Sequence, residues 1–224
     1  MTIVVHHLEK SRSHRILWLL EELGAPYEIK EYKRDPKTQL APRELKEIHP
    51  LGKSPVITEG DLTIAETGAI VEYLLDRFDN ENSFRPAQDS DQFLSYRYWM
   101  HYSEGSAAPP LLLKVVFDQL PKQAPFLAKP LLAAINKAVS KEYINPQVKN
   151  HLQFWESKLS THPYLVGENF TAADIQMSFA MEGALLGAPT GKYTACRDYL
   201  KKIKARKAFA AAEKRGGEFS LDLR

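Results

Sequence analysis

The chain has 224 residues, 44% hydrophobic and 26% charged, the make-up of an ordinary globular protein rather than a disordered or fibrous one. Thirty basic against 28 acidic residues leave a net charge of +2, and no segment concentrates Lys and Arg as a phosphate-tracking surface requires, so no nucleic-acid partner is expected. The first eight residues pass directly into a strand-like pattern without a cationic segment and long apolar run, and no 18-residue apolar stretch follows; a cytoplasmic protein with no membrane partner is expected.

Residues Ile3 to His7 are short and β-branched, and Ser11 to Ser13 supply helix-start residues before Arg15-Ile-Leu-Trp-Leu-Leu-Glu-Glu-Leu23. Gly24 suits the left-handed position that ends such a helix. Tyr27 to Tyr32 alternates apolar and polar residues as a second strand, parallel to the first. Pro42 fits the first turn of a short helix through Ile48. Val56–Thr58 and Leu62–Ala65 flank the turn cluster Glu59-Gly60-Asp61 and predict an antiparallel hairpin. A helix from Thr67 to Phe78 follows, with Ile70, Leu74 and Phe78 on one stripe and Val71 and Leu75 beside it. The order is β-α-β, α, β-β-α.

Asn80 to Asp89 is polar, contains Pro86 and precedes a region without convincing strands, so the domain boundary is placed there. Helices are expected over Asp89 to Val116, bent or broken at Pro109-Pro110, and over Pro125–Tyr143, Pro146–Ser160, Thr171–Leu186 and Tyr193–Arg206. Phe170-Thr-Ala-Ala-Asp-Ile175 carries a Thr N-cap, an acidic residue three positions on and a hydrophobic staple, a strong helix start with no chemistry of its own.

Cys196 is the single cysteine, which rules out an intrachain disulfide, a CxxC redox pair and a multi-thiolate zinc site. Sulfur chemistry therefore has to use a ligand's sulfur. None of the seven histidines has a spacing that puts several nitrogens on one helical face, so no metal is expected.

The most specific segment is His49-Pro-Leu-Gly-Lys-Ser-Pro-Val-Ile57, followed by Ile64-Ala-Glu-Thr-Gly-Ala-Ile70. Its pattern resembles the glutathione-binding site of the cytosolic glutathione transferases, and the resemblance runs along essentially the whole chain. Ser11-Arg12 with Arg15-Ile-Leu-Trp-Leu-Leu20, Tyr32-Lys-Arg-Asp35, and Glu104-Gly-Ser106 with Pro109-Pro110 make it most similar to the Gtt-type transferases of fungi and their bacterial relatives. The resemblance implies a thioredoxin-like domain over residues 1–80, an all-helical domain over 88–224 and a homodimer.

It also implies a cis bond between Ser54 and Pro55, which exposes the Ser54 backbone N–H and C=O to a peptide laid alongside as an extra strand. The start of the helix at Glu66 and Thr67 then faces the γ-glutamyl carboxylate with free N–H groups, the Thr67 hydroxyl adding a bond and Glu66 accepting the ligand's ammonium. Taken alone, such a pair is a plain helix cap. Lys53 is assigned by resemblance to the glycine carboxylate.

Ser11 follows the first strand and holds the position of the family's serine-type catalytic hydroxyl, expected to donate to the glutathione thiolate. Ser13 lies in the same turn, as a rival hydroxyl or a helix cap. The acceptor pocket is expected between the domains, beside Tyr98, Tyr102 and Ser106, although aromatic residues at this spacing also suit a core or an interface. Glu104 is left open as a residue that reaches a neighbouring subunit's ligand. The activity implied is attack of glutathione sulfur on a hydrophobic electrophile. Reduction of organic hydroperoxides, or a glutathione-transferase-like interaction module without turnover, are the alternatives.

Overall fold

The computed structural model describes residues 2–219. The N-terminal part runs β1 (Ile3–Leu8), α1 (His14–Glu22), β2 (Tyr27–Tyr32), α2 (Leu45–Ile48), β3 (Val56–Glu59), β4 (Leu62–Ala65) and α3 (Thr67–Phe78). Its mixed sheet has the order β2-β1-β3-β4, with β1 parallel to β2 and the other pairs antiparallel. This is the βαβαββα order expected from the residues.

Chemistry local to each element accounts for its limits. Gly24, at φ +61°, takes the left-handed position after α1. The Ala25 N–H then bonds the Leu20 carbonyl at 3.0 Å and the Gly24 N–H the Glu21 carbonyl at 3.3 Å, the paired bonds that close a helix C-terminus. In α3 the stripe Ile70, Val71, Leu74 and Leu75 is fully buried, as its spacing dictates. One expectation is corrected: Pro42 does not open α2, because residues 42–44 form a separate turn with Leu45 N–H on the Pro42 carbonyl, and the helix begins at Leu45.

The C-terminal part is helical: α4 (Asp91–Tyr102), α5 (Ala108–Gln123), α6 (Lys129–Val139), α7 (Asn145–Leu159), α8 (Ala172–Leu186), α9 (Thr194–Lys204) and α10 (Lys207–Gly216). Pro109-Pro110 does not break the first of these. A π-helical turn, Ser103–Ala107, joins α4 to α5, and the prolines enter at the first turn of α5. The extra residue of a π turn changes the hydrogen-bond register just where proline has no N–H to give. A second π turn, Ser140–Ile144, admits Pro146 into α7 in the same way.

Helix α8 starts at the Thr171–Asp174 capping box and is buried along most of its length. Asp174 accepts the Thr171 N–H at 2.8 Å, the Leu165 N–H at 3.1 Å and the Tyr199 hydroxyl at 2.7 Å. Helix α10 is an element the sequence reading left out. It presents Phe209 and Ala212 to the core. Phe209 stands edge-on to Trp18 of α1, so α10 packs over the first helix. Buried residues of α1, α3, α4, α8, α9 and α10 form one continuous hydrophobic core.

Candidate functional site at the edge of the sheet

Register places the candidate residues. His6 of β1 pairs with Val56, and Val56 with Ala65, so the end of β1, the start of β3 and the end of β4 meet at one edge of the sheet. Ser54-Pro55, Glu66-Thr67 and the β1–α1 turn bearing Ser11 therefore gather there.

The Ser54–Pro55 peptide bond is cis. Pro55 is buried, Ser54 half-buried and Lys53 exposed. The Ser54 hydroxyl donates to the His6 carbonyl at 3.0 Å, which ties the loop to β1. Glu66 has φ 71° and ψ 125°, a backbone state that costs a non-glycine residue roughly 1–3 kcal/mol and clusters at functional sites. It turns the chain abruptly from β4 into α3, whose first N–H groups, like those of any helix, have no carbonyl of the helix to bond. Thr67 is buried, and its Oγ1 accepts from Arg15 Nη2 at 3.1 Å.

The serine turn is a closed network. Ser11 Oγ lies 2.8 Å from Ser13 Oγ and accepts the Ser13 N–H at 3.2 Å. Ser13 stands at the N-cap of α1, but its hydroxyl makes no cap bond. It turns back instead to His7 Nδ1 at 2.8 Å and to the backbone of Leu8, accepting from its N–H at 3.2 Å and lying 3.3 Å from its carbonyl. Ser13 has no exposed surface, whereas Ser11 keeps 5%. The two hydroxyls that the sequence left as rivals are thus in series, with Ser11 the outer one.

Behind Thr67 lies an ion cluster spanning both parts of the chain. Arg15 is 1% exposed, and its guanidinium donates to the Gln176 carbonyl of α8 at 2.5 Å and to Glu104 at 2.7 Å. Arg12 donates from Nε to both Glu104 carboxylate oxygens, at 3.0 and 3.1 Å, and lies 4.5 Å from the Phe179 ring centre. Burial would raise the Glu104 carboxyl, but Arg15 and Arg12 outweigh it and hold the group below the usual carboxylate range. Burial brings Arg15 down to about 10, against the pull of Glu104, so it stays charged at neutral pH. Glu104 is therefore held by arginines of its own chain.

Tyr98 and Tyr102 stack on each other at 5.3 Å, and Tyr102 belongs to the packing between α4 and α7. The Tyr102 hydroxyl meets His151 Nδ1, and its ring packs on Phe154 and Trp155. Burial pushes Tyr102 up to about 12. Tyr98 is 47% exposed, and Ser106 is exposed in the π turn. From this helix it is Glu104, not either tyrosine, that reaches the β1–α1 turn. Among the described residues no group of three or more His, Cys, Asp or Glu side chains is placed to hold a metal ion, and no helix is long and apolar enough to cross a membrane.

Two features of the site escaped the sequence reading. One is the Arg15–Glu104–Gln176 tie, whose signal was an arginine inside an otherwise apolar run. The other is His7, which looked like part of a β-branched strand.

Residues 2–76 match the family model for the glutathione S-transferase N-terminal domain, and residues 119–207 match that for the C-terminal domain. Glutathione S-transferase 1 of Saccharomyces cerevisiae is 36% identical, over 95% of this chain and 94% of its own. A crystal structure of a glutathione S-transferase from Actinobacillus pleuropneumoniae is 37% identical and superposes with a TM-score of 0.83, over 99% of this chain and 95% of that one. A Phanerochaete chrysosporium glutathione transferase, crystallised in complex with oxidized glutathione, shares the fold at 22% identity and a TM-score of 0.74, over 96% of each chain. With fold and sequence matched along nearly its full length, the chain belongs to the glutathione S-transferase family.

Proposed function

We propose that the protein binds glutathione along the edge of the sheet and transfers its sulfur, as thiolate, to hydrophobic electrophiles. The convergence of three features supports this reading: the cis Ser54–Pro55 bond, the start of α3 at Glu66-Thr67, and the Ser11 turn. In it the cysteinyl backbone pairs with Ser54, and the γ-glutamyl carboxylate sits on the α3 N–H groups and the Thr67 hydroxyl. Glu66 takes the ammonium and Lys53 the glycine carboxylate. The ligand's sulfur lies against Ser11, the catalytic hydroxyl.

An unperturbed thiol has a pKa of about 8.5 and is only a few per cent ionised at pH 7. Lowering it by about two units is worth about 2.7 kcal/mol and makes most of the bound sulfur nucleophilic. Stabilising the anion and setting it beside the acceptor carry the catalysis. The acceptor is held against the helical part, beside the Arg12–Glu104–Phe179 wall, Tyr98 and Tyr102 of α4, and Ser106 of the π turn that follows. The working form is a cytoplasmic homodimer.

The test combines calorimetry with turnover. Millimolar-or-tighter glutathione binding, together with conjugation of an aromatic halide, is the expected result. Turnover of an alkyl hydroperoxide alone makes the protein a peroxidase, and absence of binding makes it a non-catalytic module. Ser11→Ala is expected to keep glutathione affinity within several-fold while raising the pKa of the bound thiol. An unchanged pKa and turnover remove Ser11 from the mechanism.

A further inference from the structure

The hydroxyl of Ser11 is not free to turn as it likes; it is the outer end of a chain of bonds that runs through Ser13 and His7 to the last turn of α10. His7 Nε2 lies 2.9 Å from the Gly216 carbonyl, and the approach depends on residue 216 being glycine. A Cβ there would stand 2.3 Å from Leu17 Cδ1 and 3.4 Å from His7 Nε2. All three side chains are 5% exposed or less, so the protein groups named here are their main partners and the hydrogens are assigned from them.

A carbonyl only accepts, so Nε2 carries a hydrogen. In a neutral imidazole Nδ1 is then an acceptor, and the Ser13 hydroxyl, 2.8 Å away, gives it its hydrogen in preference to the Leu8 carbonyl at 3.3 Å. Ser13 Oγ receives the Leu8 N–H at 3.2 Å and, on its other lone pair, the Ser11 hydroxyl at 2.8 Å. Ser11 Oγ receives the Ser13 N–H and retains one lone pair. With His7 neutral, Ser11 therefore faces a thiol as an acceptor. To donate to a thiolate while keeping the chain intact, every hydroxyl must reverse, and that reversal ends with a hydrogen on Nδ1 of a ring whose Nε2 is already protonated.

We propose that His7 is a positioning residue for sulfur ionisation, taking up through Ser13 and Ser11 the proton that leaves the bound glutathione thiol. This rests on the reading of Ser11 above. The S–H bond breaks as an O–H bond forms on Ser11; the former Ser11 hydrogen passes to Ser13, and the Ser13 hydrogen to His7 Nδ1. Thiol and imidazole become thiolate and imidazolium, and Ser11 is left donating to the sulfur. After turnover the imidazolium loses its proton to water in a cleft of about 270 Å3, lined by His7, Glu9, Lys10, Glu31, Gly216 and Glu218 among others.

The charges around His7 come from every neighbouring element: Glu31 of β2 and Lys33 just beyond it, Glu9 and Lys10 of the turn, His14 of α1, Lys204 of α9 facing His14, and Glu218 after α10. His7 lies below the ordinary imidazole value: burial lowers it, and the Gly216 carbonyl with Glu31 and Glu9 offsets this only in part. His14 is brought to about 3, by burial first and by His7 and Lys204 after it, so it stays neutral and does not compete for the proton.

The experiment counts protons against thiolate. Glutathione is added near pH 7 in weak buffer with an indicator dye, while the ultraviolet absorbance of the thiolate is followed, for the unmodified chain, His7→Asn and Ser11→Ala. The unmodified chain is expected to form thiolate with well under one proton released per thiolate, since the proton stays on His7. His7→Asn keeps an acceptor for Ser13 but no basic nitrogen; its bound thiol is expected to ionise at least tenfold less at the same pH, a pKa higher by about one unit or more, and to release one proton for each thiolate formed. Stoichiometric release from the unmodified chain, or an unchanged thiol pKa and proton count in His7→Asn, overturns the proposal. If Ser11→Ala ionises the thiol as before, the Ser11 reading itself fails. Should His7→Asn not fold, the 15N imidazole spectrum of the unmodified chain decides: Nδ1 of His7 gaining a hydrogen on glutathione addition supports the relay, and an unaltered ring refutes it.

Discussion

Replacing Glu104 by Gln keeps the shape of the side chain and one acceptor oxygen but removes the charge that two arginines share. Arg15 feels this most, because its side chain is 2% exposed against 36% for Glu104, and its remaining partners, the Gln176 carbonyl and Thr67 Oγ1, are neutral. Breaking a fully buried ion pair costs about 3–5 kcal/mol. Water reaches one side of this pair and screens it, so the range for hydrogen bonds to charged groups, about 1.5–3 kcal/mol, applies. A loss of roughly 2 kcal/mol in a chain of this size lowers Tm by roughly 4–8 °C.

The pH dependence fixes the cause. The folded-state pKa of Glu104 lies below its ordinary value, so its stabilisation is fully present above the unfolded value of about 4.3 and is lost as pH falls through the folded value. Thermal scans of the two proteins from pH 7 downward are expected to show a gap that holds to about pH 4.3 and closes below it. A gap under about 1 °C at pH 7, where the arithmetic requires roughly 4 °C or more, refutes the reasoning. So does a gap that stays constant into acid, which would mean that Gln disturbs packing rather than charge. Because Arg15 also holds Thr67, glutathione affinity is expected to fall in the same variant.

Asp174→Asn puts a donor amide where the Leu165 N–H, the Thr171 N–H and the Tyr199 hydroxyl all converge. With at least one buried donor unpaired, a loss of about 3 kcal/mol or more is expected in urea unfolding, and a change under about 1 kcal/mol would contradict the role given to the capping box. Lys53→Ala removes an exposed cation assigned to the glycine carboxylate; a cost of about 1 kcal/mol raises the glutathione Kd about fivefold at low salt, less at high salt. Calorimetry at two ionic strengths checks it, and an affinity independent of both Lys53 and salt removes Lys53 from the site.

Most of the fold was legible because its signals are local. The β-branched run of β1, the alternation in β2, the two-residue turn at Gly60-Asp61, Gly24 and the Thr171–Asp174 box each act within a few residues of themselves. Misreadings occur where hydrogen-bond register overrides residue preference. Pro109-Pro110 and Pro146 look like helix breaks, yet a π turn ahead of each lets the helix continue. Helix α10 has alanine-rich sequence, with Ala208, Ala210, Ala211 and Ala212, good helix-forming material that was passed over because no cap announces it. The segments that gather beside Ser54-Pro55 were legible as a motif, but Glu66 at φ 71° was not: nothing in a Glu-Thr pair signals a left-handed backbone.

What the sequence hides most completely is that the site is built by both ends of the chain. Ser11, Ser54 and Thr67 are all N-terminal, and a motif reading treats them as self-sufficient. Yet Arg15, which bonds Thr67, is itself held by Gln176 of α8 and Glu104 beyond α4, and the ring behind Ser13 is held by Gly216 of α10. These bonds span 161, 89 and 209 positions of sequence, so no window of local pattern contains both partners. The helical part thus supplies the counter-charge and the carbonyls that hold Arg15, behind Thr67, and His7, behind Ser13. Removing it would leave the sheet edge with its motif intact and its hydrogen-bond directions undefined.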